Sequence, residues 1–380
     1  MDFRLGDNAD SLRAALRAYL DEALTDEVEE RLYRSGVSHD ADFIGGLIDH
    51  GWFAPAWSED LGGAGLDPTS VMVIFEELNR REAPMYATSV SLMVAKALVK
   101  FGTDEMRREI VPAVLRAETI CVLGFTEPEA GSDVANAQTR AVRDGDEWMI
   151  NGSKMFTTNA QLGDYIYLLT RSNPDERKHR GLTTFLVPLD HPGIEVQAVH
   201  TISGERTNIV YFNDVRVPDS ARIGDVDGGW SVLTASLMDE QMASFAPWIV
   251  RLLEEVEAWA AETGRIDDPG VRERLGRVAA QAEVALLLRR RCTWMDEEGI
   301  TRNVEGPMAK LFSSESLTQA SQDMFDLIGP DALRSYPDPE AVRGGRIEYM
   351  MRFALGTTIY AGTSEIQRTQ IAQRGLGLPR

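Results

Sequence analysis

The spacing of apolar residues changes twice along this 380-residue chain, and those two changes decide what it can fold into. Up to about residue 118 the apolar positions recur every three to four residues. Leu12, Leu16, Tyr19 and Leu20 form one such stripe, and residues 71–81 and 91–101 read as further amphipathic helices. From about 119 to 220 the spacing shortens to alternation. Asp144-Gly145-Asp146 and Asn151-Gly152 are hairpin-turn signals, and Trp148 and Ile150 alternate between them. Residues 165–170, 182–187 and 209–212 are β-rich runs punctuated by Pro188, Pro192 and Pro218. From about 228 the helical spacing returns in residues 229–261, 271–298, 307–328 and 346–354, with a last helix after Gly362. The expected fold is α+β. It has an N-terminal helical domain (1–118), a middle antiparallel, β-barrel-like domain (119–224) and a C-terminal four-helix bundle (225–380).

Glu240 interrupts an apolar stripe. With residues 229–254 as one helix, Trp230, Leu233, Leu237, Glu240 and Ser244 share a face. A carboxylate on a buried face is costly unless paired, protonated or employed. Two readings stand: an ion pair with an arginine on a neighbouring helix, or a general base whose burial raises its pKa.

The 60 acidic and 39 basic residues leave a formal charge of −21, which argues against nucleic acid or an anionic membrane surface as partner. Cys121 and Cys292 stand far apart, outside any metal or redox spacing, and read as reduced core thiols of a cytoplasmic protein. The five histidines have no zinc spacing, the amino terminus carries no secretory pattern, and no apolar run is long enough to span a bilayer. The Arg289-Arg290-Arg291 run reads as solvated or paired with nearby acids.

Gly62-Gly63-Ala64-Gly65 lacks the preceding strand and following lysine of a phosphate loop and reads as a turn. Two polar segments hold more promise. Gly124-Phe125-Thr126-Glu127-Pro128-Glu129-Ala130-Gly131-Ser132-Asp133 combines glycines, which let backbone approach a ligand, with hydroxyls that can donate to it. Lys154-Met155-Phe156-Thr157-Thr158-Asn159 sets an aromatic beside two threonines, a pairing suited to a flat heteroaromatic ligand. Taken singly, each is more often a loop or an edge strand.

In this order and spacing, with Asn213-Asp214-Val215-Arg216-Val217-Pro218 and Tyr360-Ala361-Gly362-Thr363-Ser364-Glu365-Ile366-Gln367-Arg368, the chain resembles the acyl-CoA dehydrogenase family over essentially its whole length. The resemblance implies the fold of that family and an FAD cofactor. It places Phe125 and Thr126 along the flavin. Gly131 and Ser132 fall near the pyrophosphate or pantetheine. Phe156 packs on the ring, with Thr158 near its N5. Thr363 and Glu365 approach the adenine-side phosphates or ribose, where a helix amino terminus offers free N–H groups. Ser132, Leu237 and Ala361 face the acyl-CoA substrate.

The implied reaction is α,β-dehydrogenation of an acyl-CoA to its trans-2-enoyl-CoA. A base takes the α proton as hydride leaves the β carbon for the flavin. Many family members carry the base where this chain has Ala361, which cannot accept a proton. A second branch carries it on the first bundle helix, at the position of Glu240. The resemblance further implies a role in β-oxidation, an electron-transferring flavoprotein as acceptor, and a homotetramer or dimer. Three positions depart from the family: Gln241 replaces an arginine, an Arg-x-x-Phe-Gly stretch is missing, and a Gln-x-x-Gly-Gly stretch reads Asp326-Leu327-Ile328-Gly329-Pro330. Such changes resemble actinobacterial dehydrogenases of steroid side chains, some of which pair two different subunits. The alternatives are a silent or FAD-poor subunit of a hetero-oligomer, and a flavin monooxygenase or oxidase on the same fold.

Overall fold

The computed structural model describes residues 5–240 and 244–379, without the side chains of 237–240. The helices before the sheet are α1 (Asp7–Ala23), α2 (Asp26–Ser35), α3 (Ala41–Asp49), α4 (Pro68–Arg80), α5 (Tyr86–Phe101) and α6 (Val111–Leu115). The strands are β1 (Cys121–Gly124), β2 (Arg140–Asp144), β3 (Glu147–Lys154), β4 (Tyr165–Arg171), β5 (Leu182–Pro188), β6 (Ile194–His200), β7 (Arg206–Pro218) and β8 (Arg222–Ile223). After them come α7 (Gly229–Glu240), α8 (Ala246–Glu262), α9 (Pro269–Glu297), α10 (Glu305–Ile328), α11 (Arg346–Thr357) and α12 (Ser364–Gln370). Two compact units divide these elements. One holds Leu24–Leu66 and Pro84–Glu240, the other Met1–Ala23, Asp67–Ala83 and Gln241–Arg380. This partition by contact differs from one by chain segment, because α1 and α4 group with the C-terminal helices while α2, α3, α5 and α6 group with the sheet.

In the sheet unit the strand order is β6-β7-β3-β2-β4-β5-β8, with β1 on β4. Most pairings are antiparallel, as the alternating pattern predicts, but β1 and β2 both run parallel to β4. Trp148, Ile150, Ile166, Leu168, Phe185, Val210, Phe212 and Val215 fill its core. The turn at Gly145 joins β2 to β3 as expected. Asn151-Gly152 is not a turn. It is a bulge inside β3, where the register against β7 shifts. Gly152 sits at φ +147°, and a Cβ there would lie 2.7 Å from the Thr139 Cα, so the bulge admits only glycine. Asn151 accepts from the Asp214 N–H at 2.9 Å and holds the bulge closed. The Gly62–Gly65 stretch is the expected turn, folded under Trp57.

Residues 229–254 are not one helix. Ser244 and Phe245 are non-helical, and α8 starts anew with Pro247 in its first turn. Proline cannot donate back into a preceding turn, so the helical ladder cannot run through it. The Phe245 N–H bonds instead to the Ser313 hydroxyl at 3.0 Å. The expected stripe therefore ends before Ser244. Trp230 is half-buried and Leu233 fully buried, as expected. Helix α7 packs on α5, β4 and β5 of the sheet unit. The bundle is formed by α8, α9, α10 and α11, around Ile249, Leu252, Val256, Leu275, Val278, Leu317, Met324 and Met350.

Helix α4 packs on α1, α8 and α9, and charge fastens it there. Glu77, almost fully buried, receives Arg13 at 2.9 Å, Arg17 at 2.8 Å and Arg80 at 3.2 Å. Arg80 reaches on to Glu254 at 2.6 Å. In the arginine run, Arg291 pairs with Glu305 at 3.3 Å. Cys121 and Cys292 are buried free thiols. Among the described residues no helix is long and apolar enough to cross a membrane, and no cluster of His, Cys, Asp and Glu could hold a metal.

Candidate active site

Phe125 and Thr126 follow β1 directly, and Phe156 to Thr158 follow β3. The two segments meet through backbone: the Met155 N–H donates to the Thr126 carbonyl at 2.9 Å. Phe125 is buried and meets Tyr167 edge to face, with ring centres 5.0 Å apart. Gly131 and Ser132 are exposed.

Phe156 adopts φ +60°, uncommon for a bulky residue, and 56% of it is exposed. Asn159 adopts φ +62°. The bend between them is held by Asn208, whose carbonyl accepts from the Thr157 N–H and whose side chain donates to the Thr157 carbonyl, both at 2.9 Å. The Thr157 hydroxyl is buried without a hydrogen-bond partner, and the Thr158 hydroxyl lies 3.2 Å from that of Thr207.

Behind both segments lies an ion pair that the sequence did not reveal. Lys154, at 0% exposure, donates to Glu127 at 2.7 Å and to the Phe125 carbonyl at 3.3 Å. The Glu127 carboxylate also accepts the N–H groups of Gln138 at 2.6 Å and Thr139 at 2.9 Å. Burial draws the Lys154 ammonium down to about 8, against the pull of Glu127. Burial pushes Glu127 up, but Lys154 and the two backbone donors outweigh it and hold the carboxyl below its ordinary value. A lysine at a strand end ordinarily reads as exposed, and its partner stands 27 residues away.

The face of α7 is fixed from beneath. Ser236 is buried and donates to the Val232 carbonyl at 3.1 Å. Its oxygen lies 3.3 Å from the hydroxyl of Tyr167, which is fully buried. Burial raises that phenol to about 12, so it stays neutral beside Ser236. Tyr167 thus touches Phe125 on one side and α7 on the other. Glu240 is the last residue of α7, one turn after Ser236. The side chains of Glu240 and Leu237 lie outside the described residues, as does Gln241.

In the bundle unit, Thr363 caps α12 and accepts from the Ile366 N–H at 3.3 Å. Ala361 precedes it at φ +54°. The turn's carbonyls are gathered by two side chains. Buried Lys310 donates to the Gly362 carbonyl at 2.7 Å, and Gln367 donates to that of Ala361 at 2.9 Å. Glu365 is exposed, and backbone N–H bonding and the Thr363 hydroxyl hold its carboxylate below the ordinary range. The Ser364 hydroxyl and the Gln367 side-chain carbonyl are buried without partners. Asp326 is 81% exposed, with Arg274 at 3.5 Å.

These residues fit a flat, polar-edged cofactor. In the sheet unit an exposed aromatic held in strained backbone stands beside an orphaned hydroxyl; in the bundle unit, taken by itself, orphaned polar atoms sit at the start of α12. Buried polar groups are nearly always satisfied, so each of these groups of atoms is suited to meet a polar edge of a ligand.

The chain matches the family models of the acyl-CoA dehydrogenase N-terminal domain over residues 6–118, middle domain over 122–215 and C-terminal domain over 227–376. It is 33% identical to acyl-CoA dehydrogenase FadE26 of Mycobacterium tuberculosis, across 98% of this chain and 97% of that protein. Among solved structures it resembles the Tcur3481-Tcur3483 steroid ACAD, with a TM-score of 0.94, 33% identity and full coverage of both chains. The ChsE4-ChsE5 complex from Mycobacterium tuberculosis gives a TM-score of 0.91 at 33% identity, again with full coverage of both. The chain belongs to the acyl-CoA dehydrogenase family of FAD-dependent oxidoreductases.

Proposed function

We propose that this protein oxidises a saturated acyl-CoA to its trans-2-enoyl-CoA, with Glu240 as the base that removes the α proton. The observation that carries this reading is the Tyr167–Ser236 contact, which sets the last turn of α7 against the residue packed on Phe125. Glu240 ends that turn, and Ala361 offers no acid–base group at the other position from which the family supplies a base.

FAD, when bound, supplies a two-electron acceptor for the hydride that leaves the β carbon. Phe125, Thr126, Phe156 and Thr158 would hold its ring. Ser132, Thr363 and Glu365 would lie along its chain or along the pantetheine. The protein's own task is to place a carboxylate at the α carbon, keep water away from it and polarise the thioester carbonyl. A steroid-type or other branched acyl group is the substrate class we favour, because a steroid ACAD is among the chain's relatives at 33% identity. The acceptor of the electrons is an electron-transferring flavoprotein.

The test is spectroscopic. A yellow protein should bleach on anaerobic addition of acyl-CoA thioesters, faster with a steroid-side-chain thioester than with a straight-chain one. A flavin that stays oxidised with every thioester would end the dehydrogenase reading.

A second reading is favoured by two anions. Asp326 and Glu365 are both exposed where this fold is expected to meet phosphates. They support a subunit that shares its FAD with a different chain in place of a homotetramer. Native mass and colour decide: a colourless homo-oligomer that takes up flavin only with a second chain would favour it, while a yellow homotetramer would exclude it.

A further inference from the structure

We propose that Lys154 and Glu127 act as a positioning pair for the cofactor, locking the two ring-facing segments 125–126 and 156–158 at one fixed separation. The proposal rests on the FAD reading of those segments and goes beyond it, because neither side chain faces the ring in that reading.

Phe156 and Thr158 can serve a planar ligand only if the bend that carries them keeps its place relative to Phe125 and Thr126. Phe156 holds a backbone conformation that is costly for such a residue and persists only where its surroundings enforce it. The enforcement is local and buried. Lys154, two residues before Phe156, ties the end of β3 to the Phe125 carbonyl and to Glu127. Met155 ties it to the Thr126 carbonyl. Glu127 in turn grips the backbone at Gln138 and Thr139. One carboxylate therefore joins the 124–127 segment, the entry to β2 and the exit of β3. A buried ion pair is weak evidence for stability, since an apolar pair of similar shape can replace it at little cost. Its value here is registry: four bonds of fixed direction set where two segments stand.

The decisive comparison uses the full-length protein and FAD itself. Lys154→Met/Glu127→Gln removes both charges while keeping the volumes, and Glu127→Gln alone keeps Lys154 bonded. Far-UV circular dichroism and native mass establish folding, and FAD titration of the apoprotein gives affinity and the bound-flavin spectrum. We expect both variants to fold, with FAD bound about 10–100-fold more weakly by the double variant, the scale found for groups that support metal ligands from behind. The bound spectrum should also lose its resolved shoulder. FAD affinity and spectrum matching wild type in the folded double variant would overturn the proposal, even if the melting temperature fell. Should the double variant not fold, the same criterion applies to Glu127→Gln. A wild-type chain with no FAD affinity also overturns it. A chain that binds FAD but oxidises no acyl-CoA would sink the dehydrogenase reading and leave this one standing.

Discussion

The Tyr167 hydroxyl stands 3.3 Å from that of Ser236, and Ser236 lies one turn before Glu240. A tyrosine at the centre of the sheet thus fixes the height of a helix whose final residue is the proposed base. With Phe125 on its other side, the same ring touches two of the segments that the proposed reaction uses.

Glu240→Gln keeps the size of the side chain and removes its basicity. Flavin reduction by acyl-CoA should slow by about 10²–10⁴, while FAD stays bound. Anaerobic stopped-flow bleaching checks this. A variant that bleaches at the wild-type rate would refute the assignment of the base.

Tyr167→Phe deletes one hydroxyl and leaves Ser236 its bond to the Val232 carbonyl. The loss of stability should be about 1 kcal/mol, the net worth of one such bond. The rate of flavin reduction should fall further than that stability loss accounts for, because α7 loses its support. Urea unfolding together with single-turnover kinetics separates the two effects.

Lys154 imposes a pH dependence of known sign. Its folded pKa of about 8 lies below the unfolded value of 10.5. Between those values the unfolded chain holds more protons, so this group's share of stability rises with pH across pH 8 to 10.5. Urea midpoints at pH 7.5, 9 and 10 should show wild type gaining on the Lys154→Met/Glu127→Gln variant. A constant difference would contradict the burial of the ammonium.

Cys121 works in the opposite sense. Burial raises its thiol from 9 to about 12, so its share of stability is intact below pH 9 and drains away as pH climbs toward 12. Ellman's reagent at pH 8 should find both Cys121 and Cys292 unreactive in the native protein. Both should react in guanidinium. Rapid native labelling would contradict their burial.

Gly152→Ala tests the bulge. The new Cβ would stand 2.7 Å from the backbone at Thr139, in a conformation L residues avoid. A loss of about 1–3 kcal/mol is expected, measured as a lower urea midpoint.

The helix–sheet–helix order was legible in sequence because it is built of local patterns of spacing. The failures have physical reasons. Asn151-Gly152 carries turn chemistry, but a bulge asks for the same freedom of φ, and only the pairing of β3 with β7 tells them apart. Periodicity carried one helix through residues 241–254, although Pro247 was present to mark a fresh start. Lys154 went unremarked because its burial depends on a carboxylate that is distant in sequence. Glu77 and three arginines join α1 to α4, and Arg80 reaches on to Glu254 of α8, contacts that no local window contains.

Helix α7 rests on α5, β4 and β5, and the bundle helices begin only at Ala246. The proposed base thus closes a helix whose seat is built by the sheet. A substitution on α5, β4 or β5 that lowers or tilts α7 would carry the proposed base with it. The sheet unit would then serve as the datum from which the position of the proposed base is set.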